Sequence, residues 1–137
     1  MTSRQSPEDQ IIRRLGPLGR ASIWINQNSP ANAKVALFDE VRGYYIDRQI
    51  LWAEPNHADG LLPWTSFADS SDLARELKRR GYTVILINQA NRGADKGSVS
   101  GGWRGLVEGA VSTGQFIPLA SFGREGQETV VYGINIQ

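Results

Sequence analysis

The chain has 137 residues and a mass of 15.1 kDa, the size of one domain that buries most of its surface on folding. Its 15 Lys and Arg residues and 14 Asp and Glu residues almost cancel, so net charge predicts no attraction to nucleic acid or to an anionic membrane. With no cysteine, it can form neither a disulfide nor a thiolate metal site.

The N-terminal segment is predicted to be a helix that is interrupted once. Ser6 is a hydroxyl cap, Pro7 follows where no N–H is needed, and two acids come next. Gly16 and Pro17 are expected to kink or restart the helix, and residues 28–30 to end it. The start of the chain lacks the apolar stretch of a secretory signal. We therefore expect either a cytosolic protein or, preferably, a fragment of a longer chain.

The middle of the chain predicts two buried strands and one well-defined helix. Residues 34–39, KVALFD, form the first core strand. Residues 43–53 form an extended ribbon whose partner strand the sequence does not identify. After an irregular loop at 54–69, Ser70 or Ser71 caps a helix that closes at Gly81. Residues 82–88, YTVILIN, are apolar without interruption, as in a parallel strand that is buried on both faces.

The C-terminal third begins with a glycine-rich stretch and ends in a hairpin. Residues 103–112 predict a weak helix, and strands at 116–122 and 128–136 are joined by the turn GREGQ. We therefore expect an α/β fold with a Rossmann-like mixed sheet and flanking helices in two or three layers. Strands 34–39 and 82–88 should be central and parallel, and the hairpin should lie antiparallel on one side.

The glycine-rich loop at 92–102 lies between a strand and a helix, where backbone N–H groups could hold a phosphate. Its glycines fall at 93, 97, 101, 102 and 105, a spacing that fits no nucleotide-binding motif, and Lys96 stands on the wrong side. We expect an exposed surface loop.

His57, the only histidine, lies between Glu54 and Asp59 and could supply a metal ligand or an acid–base pair. Because metal sites usually need more ligands than this, we expect a solvent-facing loop histidine. The basic side chains of the 70–81 helix, Arg75, Lys78, Arg79 and Arg80, are expected to form a solvated face, with Glu76 supporting Arg80.

Aromatic residues concentrate between positions 44 and 67, interleaved with charged side chains. Flat rings beside carboxylates and guanidinium groups suit the binding of a sugar, and the same rings could instead fill a loop-rich core. The residues are Tyr44, Tyr45, Trp52, Trp64 and Phe67.

Residues 24–57, WINQNSPANAKVALFDEVRGYYIDRQILWAEPNH, resemble the soluble C-terminal region of multi-spanning bacterial membrane glycosyltransferases of the dolichyl-phosphate-mannose protein mannosyltransferase type. In those proteins a helix that ends in an Asn-x-(Ser/Thr)-Pro turn leads to a strand and then to a tyrosine-rich stretch that ends near Asp-Arg, and the corresponding turn here, residues 26–30, reads NQNSP. The resemblance continues through SDLARELKRRG, YTVILIN and VVYGI, whereas the glycine-rich insertion at 93–105 departs from the usual short connection.

The resemblance implies an accessory or sugar-binding domain on the extracytoplasmic face of the membrane, partnered by the transmembrane part of a glycosyltransferase. That catalyst uses a polyprenyl-phosphate sugar, and its acidic catalytic residues lie in loops that this chain does not contain, so no catalytic residue and no cofactor are implied here. The alternative is a free-standing protein or enzyme, in which case we expect a cytoplasmic location and a phosphorylated or sugar-like ligand.

A small-molecule site is predicted where the carboxyl ends of the two parallel strands meet, because loops diverge there and leave a crevice. The chemistry suits hydroxyl groups or a phosphate-linked sugar. Alternatively, Asp39 and Asn88 only cap turns, and Arg42 pairs with a neighbouring acid. The candidate residues are Asp39, Glu40, Arg42, Tyr44, Asn88, Asn91, Arg92 and Trp103.

Overall fold

The computed structural model describes residues 6–40, 42–54, 62–90 and 101–136. Helices and strands are mixed along these ranges, as predicted for an α/β fold. The elements are α1 (Pro7–Leu15), α2 (Pro17–Asn28), β1 (Lys34–Phe38), β2 (Gln49–Trp52), a 3₁₀ turn (Trp64–Ser66), α3 (Ser70–Arg79), β3 (Tyr82–Asn88), α4 (Gly101–Ser112), β4 (Phe116–Phe122) and β5 (Thr129–Ile134).

Five strands form one mixed sheet in the order β2-β1-β3-β5-β4. The strand β1 pairs in parallel with β2 and β3, whereas β5 runs antiparallel to β3 and to β4. The prediction of central, parallel strands at 34–39 and 82–88 is confirmed, and so is the antiparallel C-terminal hairpin. The carboxyl ends of β1 and β3 therefore lie side by side.

The sheet is covered on both faces, which makes the fold a three-layer α/β structure. Alternate residues of each strand point to opposite faces, so neighbouring residues of β1 belong to different cores. Phe38 packs among residues of α3 and α4, and Leu37 packs among residues of α2. Burial on both faces explains why β1 and β3 are apolar throughout.

The two N-terminal helices form a close corner, as the Gly16-Pro17 pair predicts. Ser6 and Asp9 complete a reciprocal capping box at the start of α1. Gly16 ends α1 with a φ of 59°, a backbone conformation that glycine adopts without strain. At Gly19 a side chain would start 2.7 Å from the carbonyl oxygen of Ile11, so this contact between the helices admits only a glycine.

The N-cap of α3 is Asp69, whereas the sequence predicts Ser70 or Ser71. The Asp69 carboxylate accepts from the Asp72 N–H at 3.1 Å, and both serines are already helical. A carboxylate at this position also interacts favourably with the helix dipole. The two serines that follow Asp69 suggested a hydroxyl cap and drew the prediction away from the aspartate. The predicted contact of Glu76 with Arg80 is present at 2.7 Å.

The ribbon predicted at 43–53 is a turn followed by the short edge strand β2. Arg48 anchors the turn by donating to carbonyl oxygens at the end of α2, including those of Asn26 and Ser29 at 2.9 Å. Gly43 packs over the sheet, because a Cβ there would lie 2.6 Å from Ile50 Cδ1. The chain thus crosses the α2 face before it enters β2.

Candidate functional site

The carboxyl edge, defined here as Asp39 and Glu40 after β1 together with Asn88 at the end of β3, contains buried charge. Asp39 has a φ of 60° and is the one non-glycine residue with positive φ in the described part of the chain. Aspartate tolerates this conformation better than most residues. Its N–H donates to Glu54 Oε1 at 2.8 Å, which fixes the turn that begins here.

The Asp39 carboxylate forms a bidentate ion pair with Arg104 of α4. The Nη1 and Nη2 atoms of Arg104 each lie 2.9 Å from one carboxylate oxygen. The guanidinium group also lies over the ring of Trp103, 4.7 Å from its centroid. The start of α4 is thereby tied to the end of β1.

Glu40 forms a second ion pair, with Arg42, and its side chain is only 1% exposed. It accepts from the Arg42 N–H at 2.8 Å, from Arg42 Nε and Nη2 at 2.9 Å, and from Asn88 Nδ2 at 2.7 Å. Burial by itself raises the pKa of Glu40, but the hydrogen bonds from Arg42 and Asn88 outweigh burial and leave this pKa below its ordinary value. Glu40 is therefore ionised at neutral pH.

Asn88 connects the two parallel strands at this edge. Its Nδ2 donates to Glu40, and its Oδ1 accepts from the Ala90 N–H at 3.2 Å. The side chain is buried. The Nδ2 atom thus holds the turn after β3 against the turn after β1, and the Oδ1 atom fixes the turn after β3 itself.

In the predicted aromatic set, Tyr45, Trp64 and Phe67 are half-buried, whereas Tyr44 and Trp52 are exposed. Trp64 and Phe67 pack with Phe38 and Trp103, with ring centroids 5.6 to 6.2 Å apart. Phe38 stacks on Trp103, whose ring is buried beside Arg104. This group belongs to the core beneath the carboxyl edge.

The exposed aromatic side chains are Tyr44 and Trp52, at 73% and 44% exposure. Tyr44 lies edge-on to Tyr45, with ring centroids 6.4 Å apart. The pKa of Arg42 is raised, chiefly by its hydrogen bond to Glu40 and against desolvation, with a smaller electrostatic contribution from Tyr44.

Of the eight residues predicted for the site, five meet at the carboxyl edge, and a sixth, Tyr44, is exposed in the turn before β2. The five are Asp39, Glu40, Arg42, Asn88 and Trp103. Asn91 and Arg92 lie outside the described residues, as do His57, Asp59 and most of the glycine-rich loop. The pairing of Arg42 with a neighbouring acid, considered from the sequence as an alternative to a binding site, is present.

Sequence reasoning missed Arg104, and it considered Glu54 only as a neighbour of His57 and not as part of this edge. Arg104 stands in the first turn of α4, where the helix dipole disfavours a cation and no acidic residue is present. A cation in that position indicates a carboxylate nearby, and Asp39 is that carboxylate. No comparable signal marks Glu54.

The described part of the edge brings together two guanidinium groups, those of Arg42 and Arg104, and three carboxylates, those of Asp39, Glu40 and Glu54. Within the described residues, no group of three His, Asp or Glu side chains is arranged to hold a metal ion.

Comparisons of the chain with protein-family models, with curated proteins and with solved structures gave no match. None of the helices in the described ranges combines the length and the apolar character needed to cross a membrane.

Proposed function

We propose that this chain is a non-catalytic, sugar-binding accessory domain of a membrane glycosyltransferase that uses a polyprenyl-phosphate sugar, located on the extracytoplasmic face. The resemblance of residues 24–57 to such proteins supports the assignment to that system. The single structural observation that carries the binding role is the pair of oriented ion pairs, Asp39–Arg104 and Glu40–Arg42, at the carboxyl edge of the parallel strands. This edge is where α/β sheets bind ligands.

The state of the carboxylates favours binding over catalysis. A general acid or base works best with a pKa near the operating pH. The pKa of Glu40 is instead lowered by Arg42 and Asn88 despite burial, and its oxygens accept four hydrogen bonds. A carboxylate held in this way orients its partners and is poorly placed to exchange protons.

The groups at the edge suit the hydroxyl groups of a sugar. The edge presents carboxylates as well as guanidinium groups, and an ionised phosphate has no proton to donate to the carboxylates. Sugar hydroxyls carry no charge and can both donate to carboxylates and accept from guanidinium groups. We therefore expect the sugar, rather than its phosphate, to be the part that is recognised.

NMR titration of the ¹⁵N-labelled chain tests this proposal. Methyl α-mannopyranoside and a mannobiose are the neutral probes, and mannose 1-phosphate is the anionic probe. We expect shifts of the amides of Asp39, Glu40 and Asn88 at millimolar neutral sugar, with weaker binding of the phosphate ester. Stronger binding of the ester would contradict the preference for sugar hydroxyl groups, and no shift with any probe would overturn the binding role.

An activity assay tests the non-catalytic part of the proposal. The purified chain is incubated with a polyprenyl-phosphate mannose donor and a peptide acceptor, and separately with the donor alone. We expect neither transfer nor hydrolysis of the sugar. Turnover by this chain would instead favour a free-standing enzyme.

A further inference from the structure

The ion pair between Glu40 and Arg42 uses only one edge of the guanidinium group. Arg42 donates from Nε and from Nη2 to the two carboxylate oxygens of Glu40, each at 2.9 Å. A guanidinium group carries five N–H bonds in one plane, so three of them remain. None of the three has an acceptor among the residues that the structure describes. Two of them, one on Nη1 and one on Nη2, point side by side from the end of the side chain and are called here the outer fork.

Buried contacts fix the position of the outer fork. The side chain of Glu40 is only 1% exposed, whereas that of Arg42 is 42% exposed. Because Glu40 covers the other edge of the guanidinium group, the exposed area belongs to the rest of the Arg42 side chain, which includes the outer fork. Glu40 is itself held by Asn88 Nδ2 at 2.7 Å and by the Arg42 N–H at 2.8 Å. The plane of the guanidinium group is thus set before a ligand arrives, which lowers the entropic cost of binding.

Arg104, the other arginine of the carboxyl edge, does not offer the same fork. Its Nη1 and Nη2 atoms are both directed to Asp39, so the end of this side chain is already occupied. Only 22% of the Arg104 side chain is exposed, and the ring of Trp103 lies 4.7 Å from the guanidinium carbon. Arg42 is therefore the better-placed donor for a ligand at this edge.

Two parallel N–H donors fit two neighbouring oxygen atoms. Adjacent hydroxyl groups of a pyranose ring provide such a pair, since each hydroxyl oxygen can accept a hydrogen bond. A carboxylate offers a similar pair of oxygens, but the charge of Arg42 is already paired with that of Glu40. An anion on the outer fork would share one guanidinium group with the Glu40 carboxylate and would be repelled by it. The outer fork therefore favours two uncharged oxygens.

We infer that the outer fork of Arg42 binds two adjacent hydroxyl groups of a neutral saccharide and that Arg42 thereby determines which sugars this domain accepts. The inference rests on the proposed sugar-binding function and adds the contact that gives the site its specificity. The ligand class is a pyranose that has a vicinal diol and no charge. A sugar in which no two ring hydroxyl groups are adjacent leaves one N–H of the outer fork without a partner.

Deoxy sugars test the inference on the unchanged protein, by the same NMR titration. Methyl α-mannopyranoside has hydroxyl groups on ring carbons 2, 3 and 4, and its 3-deoxy analogue retains no adjacent pair. The 2-deoxy and 4-deoxy analogues each retain one pair. We expect the 3-deoxy sugar to bind about tenfold more weakly than the parent, and at least one of the other two to bind within about threefold of it.

Arg42→Lys tests the residue. Lysine keeps the positive charge but has no planar fork, so we expect it to bind methyl α-mannopyranoside about tenfold more weakly and to lose the distinction between this sugar and its 3-deoxy analogue. Arg79→Lys is the matched control. Arg79 binds Glu76 through Nε and Nη2 in the same way, but it lies at the end of α3, just before β3 begins. Its replacement should leave the affinity unchanged.

The outcomes separate this inference from the proposed function. If methyl α-mannopyranoside shifts the carboxyl-edge amides but the 3-deoxy sugar or Arg42→Lys binds as the parent pair does, the outer fork is not the contact and the sugar-binding function stands. Displacement of the sugar by an equal concentration of acetate would show that the outer fork binds carboxylates and would overturn the inference. If no saccharide shifts any signal, the function itself is wrong, and the inference with it. Should Arg42→Lys fail to fold, the deoxy sugars decide the question on the unchanged protein.

Discussion

Asp39 and Glu40 are adjacent in the chain, and each binds an arginine, yet they connect different parts of the fold. Asp39 links the end of β1 to α4 through Arg104, a residue 65 positions away. Glu40 links the same turn to its own neighbour Arg42 and to Asn88 of β3. A buried carboxylate that loses its hydrogen-bond partners destabilises the fold. The contacts of Glu40 therefore fix the turn after β1 relative to the turn after β3.

Glu40→Gln tests how much the second pair stabilises the fold. The variant keeps an acceptor for Asn88 but loses the charge that holds Arg42, so we expect it to lower the free energy of unfolding by about 1–2 kcal/mol. The loss should be smaller than for a fully buried pair because Arg42 is partly exposed. Urea unfolding of Glu40→Gln, Arg42→Gln and the double variant measures the coupling energy. A coupling energy of zero would mean that the pair adds nothing to stability.

At the scale of secondary-structure elements, the corner between α1 and α2 depends on one close approach. Each residue of α1 is at least partly exposed, so the helix adds little buried area of its own. Its position is set by the capping box at Ser6 and by the contact of Ile11 with Gly19. Short helices are marginal unless they pack against a partner.

Gly19→Ala should therefore destabilise the corner. The new Cβ would lie 2.7 Å from a backbone oxygen, which cannot move as a flexible side chain would, and we expect a loss of about 1–3 kcal/mol. Gly105→Ala in α4 is the matched control. A Cβ at Gly105 meets open space, and alanine favours a helix over glycine by about 0.5–1 kcal/mol, so this variant should be more stable. Thermal unfolding followed by circular dichroism compares the two, and equal melting temperatures would contradict the packing argument.

The elements that could be predicted from the sequence are those whose signal is local. Tyr82–Asn88 and Phe116–Phe122 have the predicted bounds, because apolar runs and flanking turn residues mark their ends. The parallel pairing of β2 with β1 could not be predicted, since no local feature identifies a strand's partner. For the same reason the Asp39–Arg104 pair was missed, whereas the pairing of Arg42 with a nearby acid was weighed from the sequence.

At the scale of the whole molecule, the sheet joins the two hydrophobic cores that lie on its opposite faces. Leu37 and Phe38 are neighbours in β1 and pack on opposite faces, so neither layer of helices can separate without exposing residues of the same strand. We expect small domains of this kind to unfold in one cooperative transition. A change in the protonation of one surface group is then measurable as a change in global stability.

Acid should destabilise the protein through Glu76, and a single variant can isolate this contribution. The hydrogen bonds from Arg79 and Arg80 lower the pKa of Glu76 from 4.5 to about 2. A carboxylate whose folded pKa lies below its unfolded pKa stabilises the protein fully above the unfolded value, and this stabilisation is lost as the pH falls through the folded value. At pH 7 we expect Glu76→Gln to melt about 1–3 °C below the unchanged protein, since pairs near the surface contribute little. The difference should shrink below pH 4.5 and almost vanish at pH 2.

Glu125→Gln, an exposed change in the turn between β4 and β5, serves as the control and should show no such trend. A difference for Glu76→Gln that stays constant from pH 7 to pH 2 would show that the ion pairs of α3 do not contribute to folding stability.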